Sequence, residues 1–191
     1  MRKVTYSLSM SLDGYIAGPD GGFQWSEPDP ELFAFATDEV RDLSVHLLGR
    51  NLYETMRYWE PNVDRPPLDA AEQEFANLWN GLPKVVFSAT LTEVDGAGAR
   101  LATASLAEEI AQLRAEPGQG NIGIGGARLA AAAADLDLID EYRIRIYPVL
   151  VGGGLPYFAH HERFSRLEVI EQRTFEASGV VQLVYRVVRD G

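Results

Sequence analysis

The sequence predicts a three-layer α/β domain with a mostly parallel central sheet and an antiparallel C-terminal hairpin. Short apolar strand patterns alternate with helical patterns for most of the 191 residues, which is typical of α/β folds. Two strand patterns at the end of the chain, residues 167–175 and 180–188, flank Ser178-Gly179 and indicate a hairpin. No repeat or linker interrupts this order, so residues 1–191 are expected to form one domain.

The individual elements follow from periodicity and from capping residues. Val4, Tyr6 and Leu8 alternate as in a strand, and Asp29 before Pro30 is a typical helix start. Further strands are predicted at 45–48, 84–88, 121–124 and 142–147, and helices at 30–43, 51–58, 68–82, 105–116 and 126–134. In such an order, ligands bind at the carboxyl ends of the parallel strands.

Composition and charge exclude several classes of protein. The formal net charge of −11 argues against a general nucleic-acid binder, which needs a basic face. The chain has no cysteine, so disulfides, thiolate catalysis and cysteine metal sites are absent. The N-terminal residues are too polar for a signal peptide, and no apolar run is long enough for a membrane span. A soluble, cytoplasmic protein is expected.

The most informative segment is residues 121–135, where a short strand meets an alanine-rich helix at Gly125-Gly126. Two glycines at this corner remove both Cβ atoms where a ligand could approach the backbone. The start of the following helix would favour a phosphate through its free N–H groups and its dipole. A tight turn between packed elements explains the glycines equally well.

Two further strand ends resemble this corner. Gly49-Arg50-Asn51 and Ser88-Ala89-Thr90 also combine small residues with hydrogen-bond donors after a predicted strand. Three such corners at one sheet edge could hold a dinucleotide. The Rossmann fingerprint does not fit, because Arg128 stands where its third glycine belongs, and no P-loop occurs.

The sequence gives little support for a metal site or for a catalytic nucleophile. His160-His161 is better explained as a solvated loop pair than as a metal site, because adjacent histidines rarely face one ion. His46 lies in an apolar strand, and no third ligand accompanies these histidines. No serine lies in a G-x-S-x-G motif. No metal is expected.

In their order, these motifs resemble the dihydrofolate-reductase-like superfamily, and most closely its branch with the reductase domain of the riboflavin-biosynthesis deaminase-reductase. The resemblance runs from Lys3 to Val188. It rests on the segments Ser11-Leu-Asp-Gly-Tyr-Ile-Ala-Gly18, Trp25, Leu48–Met56, Val85–Ser88, Gly125-Gly126 and Asp140–Gly154.

The resemblance implies a pyridine-nucleotide cofactor and assigns its contacts. Ile16 and Ala17 would lie against the nicotinamide amide, the Gly49 corner and the glycine pair would hold the phosphates, and Ser88 would lie beside the adenosine 2′-phosphate. A cis peptide is often found between the two glycines in this family. The complete expected set is Ile16, Ala17, Gly49, Arg50, Asn51, Ser88, Thr90, Gly125, Gly126, Ala127 and Arg128.

The expected cofactor is NADPH, with NADH left open. Relatives often carry a polar residue after the serine of the second corner, whereas this chain has Ala89, for which Thr90 or Arg50 would have to compensate.

The sequence determines the substrate-binding residues less well than the cofactor contacts. Dihydrofolate reductases place a buried carboxylate on the helix after the tryptophan loop, and Glu31, four residues before Phe35, is the nearest counterpart. Glu31 is either this acid or a helix-start residue that favours the dipole. Asp13, Tyr15, Trp25 and Phe35 are candidates for the substrate pocket, although a turn role for Asp13 and core packing for the aromatic residues are alternatives.

Three functions remain open. The first is a reductase that transfers hydride to a pterin, a pyrimidine or a related heterocycle. The second is a stand-alone reductase for the ribosylamino-pyrimidine phosphate of riboflavin synthesis, and the third is a nucleotide-binding protein without catalysis. The resemblance also implies a homodimer, formed through the late strands in which Tyr142, Ile144 and Ile146 alternate with arginines.

Overall fold

The computed structural model of the chain describes residues 2–158 and 164–189. His160 and His161, predicted to be a loop pair, lie outside the described residues. The strands are β1 (Val4–Ser11), β2 (Tyr15–Ala17), β3 (Leu43–Gly49), β4 (Lys84–Phe87), β5 (Ala99–Leu101), β6 (Asn121–Gly125), β7 (Glu141–Tyr147), β8 (Leu155–Pro156), β9 (Arg166–Thr174) and β10 (Val181–Val188). The α-helices are α1 (Pro30–Arg41), α2 (Arg50–Met56), α3 (Ala70–Gly81), α4 (Leu106–Ala115) and α5 (Ala127–Asp135).

Eight strands form one sheet in the order β5-β4-β3-β6-β1-β7-β10-β9. The first six run parallel, and β10 and β9 pair antiparallel to close the sheet. Strands β2 and β8 form a separate small sheet. The predicted mostly parallel sheet with a C-terminal hairpin is confirmed.

Helices cover both faces of this sheet. Neighbouring residues of a strand point to opposite faces, so they contact helices of different layers. Leu47 belongs to a buried cluster that includes residues of α4 and α5. Leu48, the next residue, belongs to a second cluster with Phe75 and Trp79 of α3. The predicted three-layer arrangement is therefore confirmed. No helix among the described residues is long and apolar enough to cross a bilayer.

Several boundaries differ from those predicted. Leu43 fits the helical spacing of α1, but α1 ends at Arg41 and Leu43 begins β3, where it pairs with Asn121. Pairing with β6 outweighs local helical propensity at this point. The short strands β2, β5 and β8 were not predicted, because two or three residues are too few to show an alternating pattern.

His46 of β3 determines which residues β6 can carry beside it. A Cβ atom at Gly123 would lie 2.7 Å from the imidazole Cδ2, and one at Gly125 would lie 3.1 Å from Nε2. The imidazole packs edge-on against Trp79, with 5.4 Å between the ring centroids. Burial, together with the positive charge of Lys84, lowers the pKa of His46 to about 4.

This shift predicts a loss of stability in acid. The pKa of histidine in an unfolded chain is about 6.5, so the unfolded state binds more protons between about pH 6.5 and 4. As the pH falls through this window, the free energy of unfolding should decrease by about 2–3 kcal/mol. Urea denaturation at a series of pH values measures this decrease. A His46→Gln variant should show a shallower decrease than the wild-type chain, and equal slopes would contradict the prediction.

Candidate functional site

Three neighbouring strands end at the same edge of the sheet. Strand β3 lies between β4 and β6, and all three run parallel, so their carboxyl ends meet. Gly49, Ser88 and Gly125 stand at or directly after these ends. The structure thus brings together the three corners that the sequence singled out.

Gly49 and Gly126 lie next to each other at this edge. A Cβ atom at Gly126 would lie 3.7 Å from the Gly49 nitrogen and 3.8 Å from its Cα. Gly126 has φ +99°, a conformation that residues with side chains rarely adopt. The chain ends of β3 and β6 therefore contact each other through backbone atoms.

The resemblance implies a cis peptide bond between Gly125 and Gly126, and this expectation was wrong. Peptide bonds of the described residues are trans, and the positive φ of Gly126 makes the turn into α5 instead.

Helices α2 and α5 begin at this edge without side-chain caps. Their N-cap residues are Gly49 and Gly126, and neither accepts a hydrogen bond from the first turn through a side chain. Helices α1, α3 and α4, in contrast, are capped by Asp29, Asp69 and Ser105. The two uncapped starts leave backbone N–H groups and positive dipole ends available to an anion.

Polar side chains of the second corner lie next to α2. The Arg50 guanidinium donates to Thr90 Oγ1 over 2.7 Å and to Glu54 Oε1 over 2.7 Å. Ser88 Oγ accepts from the backbone N–H of Thr90 and of Leu91. Arg50, Thr90 and the partly exposed Ser88 thus form one polar group, in which the Arg50 guanidinium already pairs with the Glu54 carboxylate.

The first turns of both helices carry the remaining predicted phosphate contacts. Asn51 is exposed in the first turn of α2. Ala127 is buried as the first residue of α5, whereas Arg128 is exposed and has no carboxylate partner among the residues that the structure describes. Arg128 is therefore an available cation beside an uncapped helix start.

Ile16 and Ala17 lie in the small sheet formed by β2 and β8. Ile16 packs against the core cluster on the α4/α5 side, and Ala17 pairs with Leu155. A Cβ atom at Gly154 would lie 2.1 Å from the Ala17 carbonyl oxygen, so the backbone of the 152–154 loop contacts this strand directly.

Asp13 holds two loops together. Its carboxylate accepts from the backbone N–H of Gly152 over 2.7 Å and of Val151 over 3.2 Å. A hydrogen bond from Ser11, together with these backbone bonds, lowers the pKa of Asp13. These contacts support its role in the turn, because an acid with a lowered pKa is a poor proton donor at neutral pH.

Glu31 lies in the first turn of α1, and its side chain is half exposed. It accepts from Arg173 of β9 over 2.6 Å. Arg173 also packs over the rings of Phe35 and Phe175, which contact each other edge to face. Phe35 therefore belongs to a satellite apolar cluster under α1.

Trp25 and Tyr15 flank the ends of β1 and β7 in different ways. The Trp25 ring packs edge-on against Tyr147, with 5.8 Å between centroids, and its buried Nε1 has no hydrogen-bond partner. The Tyr147 hydroxyl donates to the Ser26 carbonyl oxygen. Tyr15 is partly exposed and pairs with Pro156 of β8.

A polar network on the α1 side of the sheet was not predicted. Arg145 of β7 pairs with Glu39 of α1 and donates to Ser7 and Ser9 of β1. The alternation of serines in β1 and of arginines in β7 was a signal for this network, but Glu39 lies on a helix far from both strands in the sequence.

Comparisons with known proteins identify the family of the chain. Residues 2–182 match the family model of the RibD C-terminal domain. Over 184 residues, 96% of this chain and 94% of the relative, the chain is 34% identical to YyaP of Bacillus subtilis (strain 168), a protein described as uncharacterized.

Solved structures show the same fold. The crystal structure of a putative riboflavin biosynthesis protein from Shewanella sp. PV-4 superposes with a TM-score of 0.77 at 28% identity and covers 99% of this chain and 100% of that one. A deaminase/5-amino-6-(5-phosphoribosylamino)uracil reductase of Thermotoga maritima superposes with a TM-score of 0.69 at 15% identity, and the match covers 98% of this chain and 57% of that protein.

These relatives agree on the fold and on the family of the chain. The resemblance seen in the motifs is confirmed over nearly the whole chain by the family model and by the structural match. The chain belongs to the RibD C-terminal domain family and has its dihydrofolate-reductase-like fold.

Proposed function

We propose that this protein is an NADPH-dependent reductase that transfers hydride to a pterin- or pyrimidine-type heterocycle. The observation that carries the proposal is the pair of uncapped helices, α2 and α5, which begin side by side on Gly49 and Gly126. Two dipole ends and free N–H groups at one point favour the pyrophosphate of a dinucleotide.

The residues at this edge fit such a cofactor. A Cβ atom at Gly49 would meet only Gly125 O and Leu129 Cβ, each at 3.8 Å, so the chain itself does not fill the space beside this glycine. Arg50, Ser88 and Thr90 offer donors for a 2′-phosphate, which favours NADPH over NADH despite Ala89. Ile16 and Ala17 would contact the nicotinamide end.

When bound, the reduced nicotinamide supplies the hydride. The protein's own residues would hold the ring of the substrate between the polar sheet face and α1, and the loops around Trp25 would keep water from the crevice. The product nitrogen or oxygen needs a proton, for which Glu31 is the carboxylate that we propose. An ordered water is the other source.

The alternative is a pyridine-nucleotide-binding protein of the same fold without catalysis. The pairing of Glu31 with Arg173 favours it, because an acid held in an exposed ion pair is not set up to protonate a substrate. Two measurements separate these functions. Tryptophan fluorescence with NADPH and NADH reports binding, and loss of absorbance at 340 nm with candidate heterocycles reports turnover.

Replacing Gly49 with alanine should weaken NADPH binding without unfolding the chain. Gly49 has φ −70°, which alanine adopts freely, and the added methyl meets only ordinary contacts within the protein. The methyl would, however, occupy space at the start of α2 that the cofactor phosphates need. We expect at least a ten-fold higher Kd, which corresponds to about 1.4 kcal/mol.

Gly81→Ala is the matched control for this variant, because a Cβ atom at Gly81 meets nothing within 4 Å and this residue lies at the end of α3. Its Kd should equal that of the wild-type chain. An unchanged Kd in a folded Gly49→Ala variant would contradict the proposal that the cofactor phosphates bind at this corner.

Replacing Glu31 with glutamine tests the proton source. If Glu31 supplies the proton, the variant should bind NADPH normally, reduce substrate more slowly and no longer show the fall in rate with rising pH that loss of the carboxyl proton causes in the wild-type enzyme. An Arg173→Gln variant breaks the same ion pair but keeps the carboxylate, so it controls for the structural contact. If both variants change only the melting temperature, Glu31 is a helix-start residue.

We also propose a homodimer, as the family resemblance implies. The strand residues that first suggested it are used within the chain, because Tyr142 and Ile144 are buried in its own core. The better candidate is the edge strand β9, whose nine residues are all exposed and include Leu167, Val169 and Ile170. An exposed edge strand with apolar residues is a common pairing surface.

Light scattering at micromolar concentrations should therefore return twice the monomer mass of 21.1 kDa. Val169→Lys should shift the mass towards that of the monomer, because it places a charge on the proposed interface. Leu136→Lys, at a residue of similar exposure after α5, is the control and should leave the mass unchanged. A monomer mass for the wild-type chain would contradict the dimer.

A further inference from the structure

The carboxyl edge of the sheet is divided into two regions of different charge. We define the cofactor side as residues 49–52, 88–91 and 125–131, which contain two arginines, Arg50 and Arg128. Arg50 pairs with Glu54 in the next turn of α2, whereas Arg128 has no carboxylate partner among the described residues. We define the substrate side as residues 11–31, 147–157 and 174–180, which contain no lysine or arginine. Its six carboxylates are Asp13, Asp20, Glu27, Asp29, Glu31 and Glu176.

The three segments of the substrate side form one continuous rim. Strands β1 and β7 run parallel and end there, and β10 begins there. The Leu12 N–H donates to the Val149 carbonyl oxygen, the Asp13 carboxylate accepts from the N–H of Gly152, and Phe175 shares a buried apolar cluster with Tyr147. The six carboxylates therefore belong to segments that meet at one end of the sheet.

Hydrogen bonds favour the ionised form of two of these carboxylates. The backbone N–H of Leu32 lowers the pKa of Asp29, and the hydrogen bond from Ser11 lowers that of Asp13. Within the described part of the chain, Glu31 pairs with an arginine, Arg173, which stands just outside the defined rim. The rim segments thus contain more acidic than basic side chains.

The arginines behind this rim are already neutralised. Arg145 pairs with Glu39, and Arg143 lies 3.2 Å from Glu141 and 3.6 Å from Glu39. Arg145 also donates to two serines of β1. A phosphate would have to break one of these partly buried pairs, and leaving a buried carboxylate unpaired is costly.

The rim also exposes apolar side chains. Leu12 is 62% exposed and Leu150 is 73% exposed, and Phe23 and Leu155 are exposed beside them. The segment 147–157 has no acidic or basic side chain. Exposed apolar groups at an entrance suit the faces of an uncharged ring better than a phosphate, which keeps its water.

We propose that the substrate is an uncharged or cationic heterocycle without a phosphate group. This inference rests on the proposed reductase function and narrows its substrate class. A ribosyl phosphate, such as the substrate named for the Thermotoga maritima relative, would bring negative charge to a rim of six carboxylates and no free cation. Like charges at short range repel, and salt screens that repulsion.

The test uses two probes that differ only in the phosphate. These are 5-amino-6-(ribosylamino)uracil and its 5′-phosphate, titrated into the full chain loaded with NADP⁺. We expect the compound without phosphate to bind at least ten-fold more tightly at about 0.05 M salt, and the ratio to shrink at about 0.5 M salt as the charges are screened.

A variant that removes two negative charges tests whether the rim causes the difference in affinity between the two probes. Asp20→Asn combined with Glu27→Gln should improve binding of the phosphorylated probe several-fold and leave the neutral probe unchanged, because both residues are exposed and neither is ion-paired among the described residues. Asp42→Asn, at the opposite end of α1, is the control and should change neither.

Two results would overturn the inference. One is tighter binding of the phosphorylated probe that weakens with salt, which would reveal a cation dedicated to phosphate. The other is equal binding of the two probes at about 0.05 M salt, which would show that the charge of the rim does not select against a phosphate. Failure to bind NADP⁺ or NADPH at all would contradict the proposed function itself, and fluorescence titration with the cofactor alone detects it.

Discussion

The contact between the backbones of β3 and β6 at their carboxyl ends is the constraint on which the site depends. Gly49 and Gly126 approach so closely that a Cβ atom at Gly126 would lie within 4 Å of the Gly49 backbone. Because no side chain separates the two strand ends, α2 and α5 start beside each other. Two helix dipoles and their free N–H groups then point towards one place, which neither helix could achieve alone.

The two faces of the sheet differ in composition. On the α4/α5 face, the parallel strands bury a continuous apolar cluster, and its burial stabilises the fold through the hydrophobic effect. On the α1 face, the middle of the sheet carries serines, arginines and Glu39 instead. Buried ion pairs gain little net stability, because desolvation offsets their attraction. The polar network on this face therefore adds little to the stability of the fold.

The three strand-end corners could be predicted because each is local in sequence. A strand, one or two small residues and a helix start lie within a few positions, so the glycine pair and the Gly49 corner were visible without any tertiary contact. The surroundings of Glu31 could not be predicted in this way. Its partner Arg173 lies 142 residues further along the chain, and Asp13 binds a loop 139 residues away.

The sequence by itself determined the layer order, the hairpin, the three strand-end corners and the family, because these follow from periodicity and from short motifs. The tertiary structure decided three further features: the trans peptide after Gly125, the short strands, and the division of the sheet edge into a basic and an acidic side. These features arise from the pairing of strands and loops that are distant in the chain. Which side chains share an entrance, and which charges neutralise each other, depends on that pairing rather than on any local pattern.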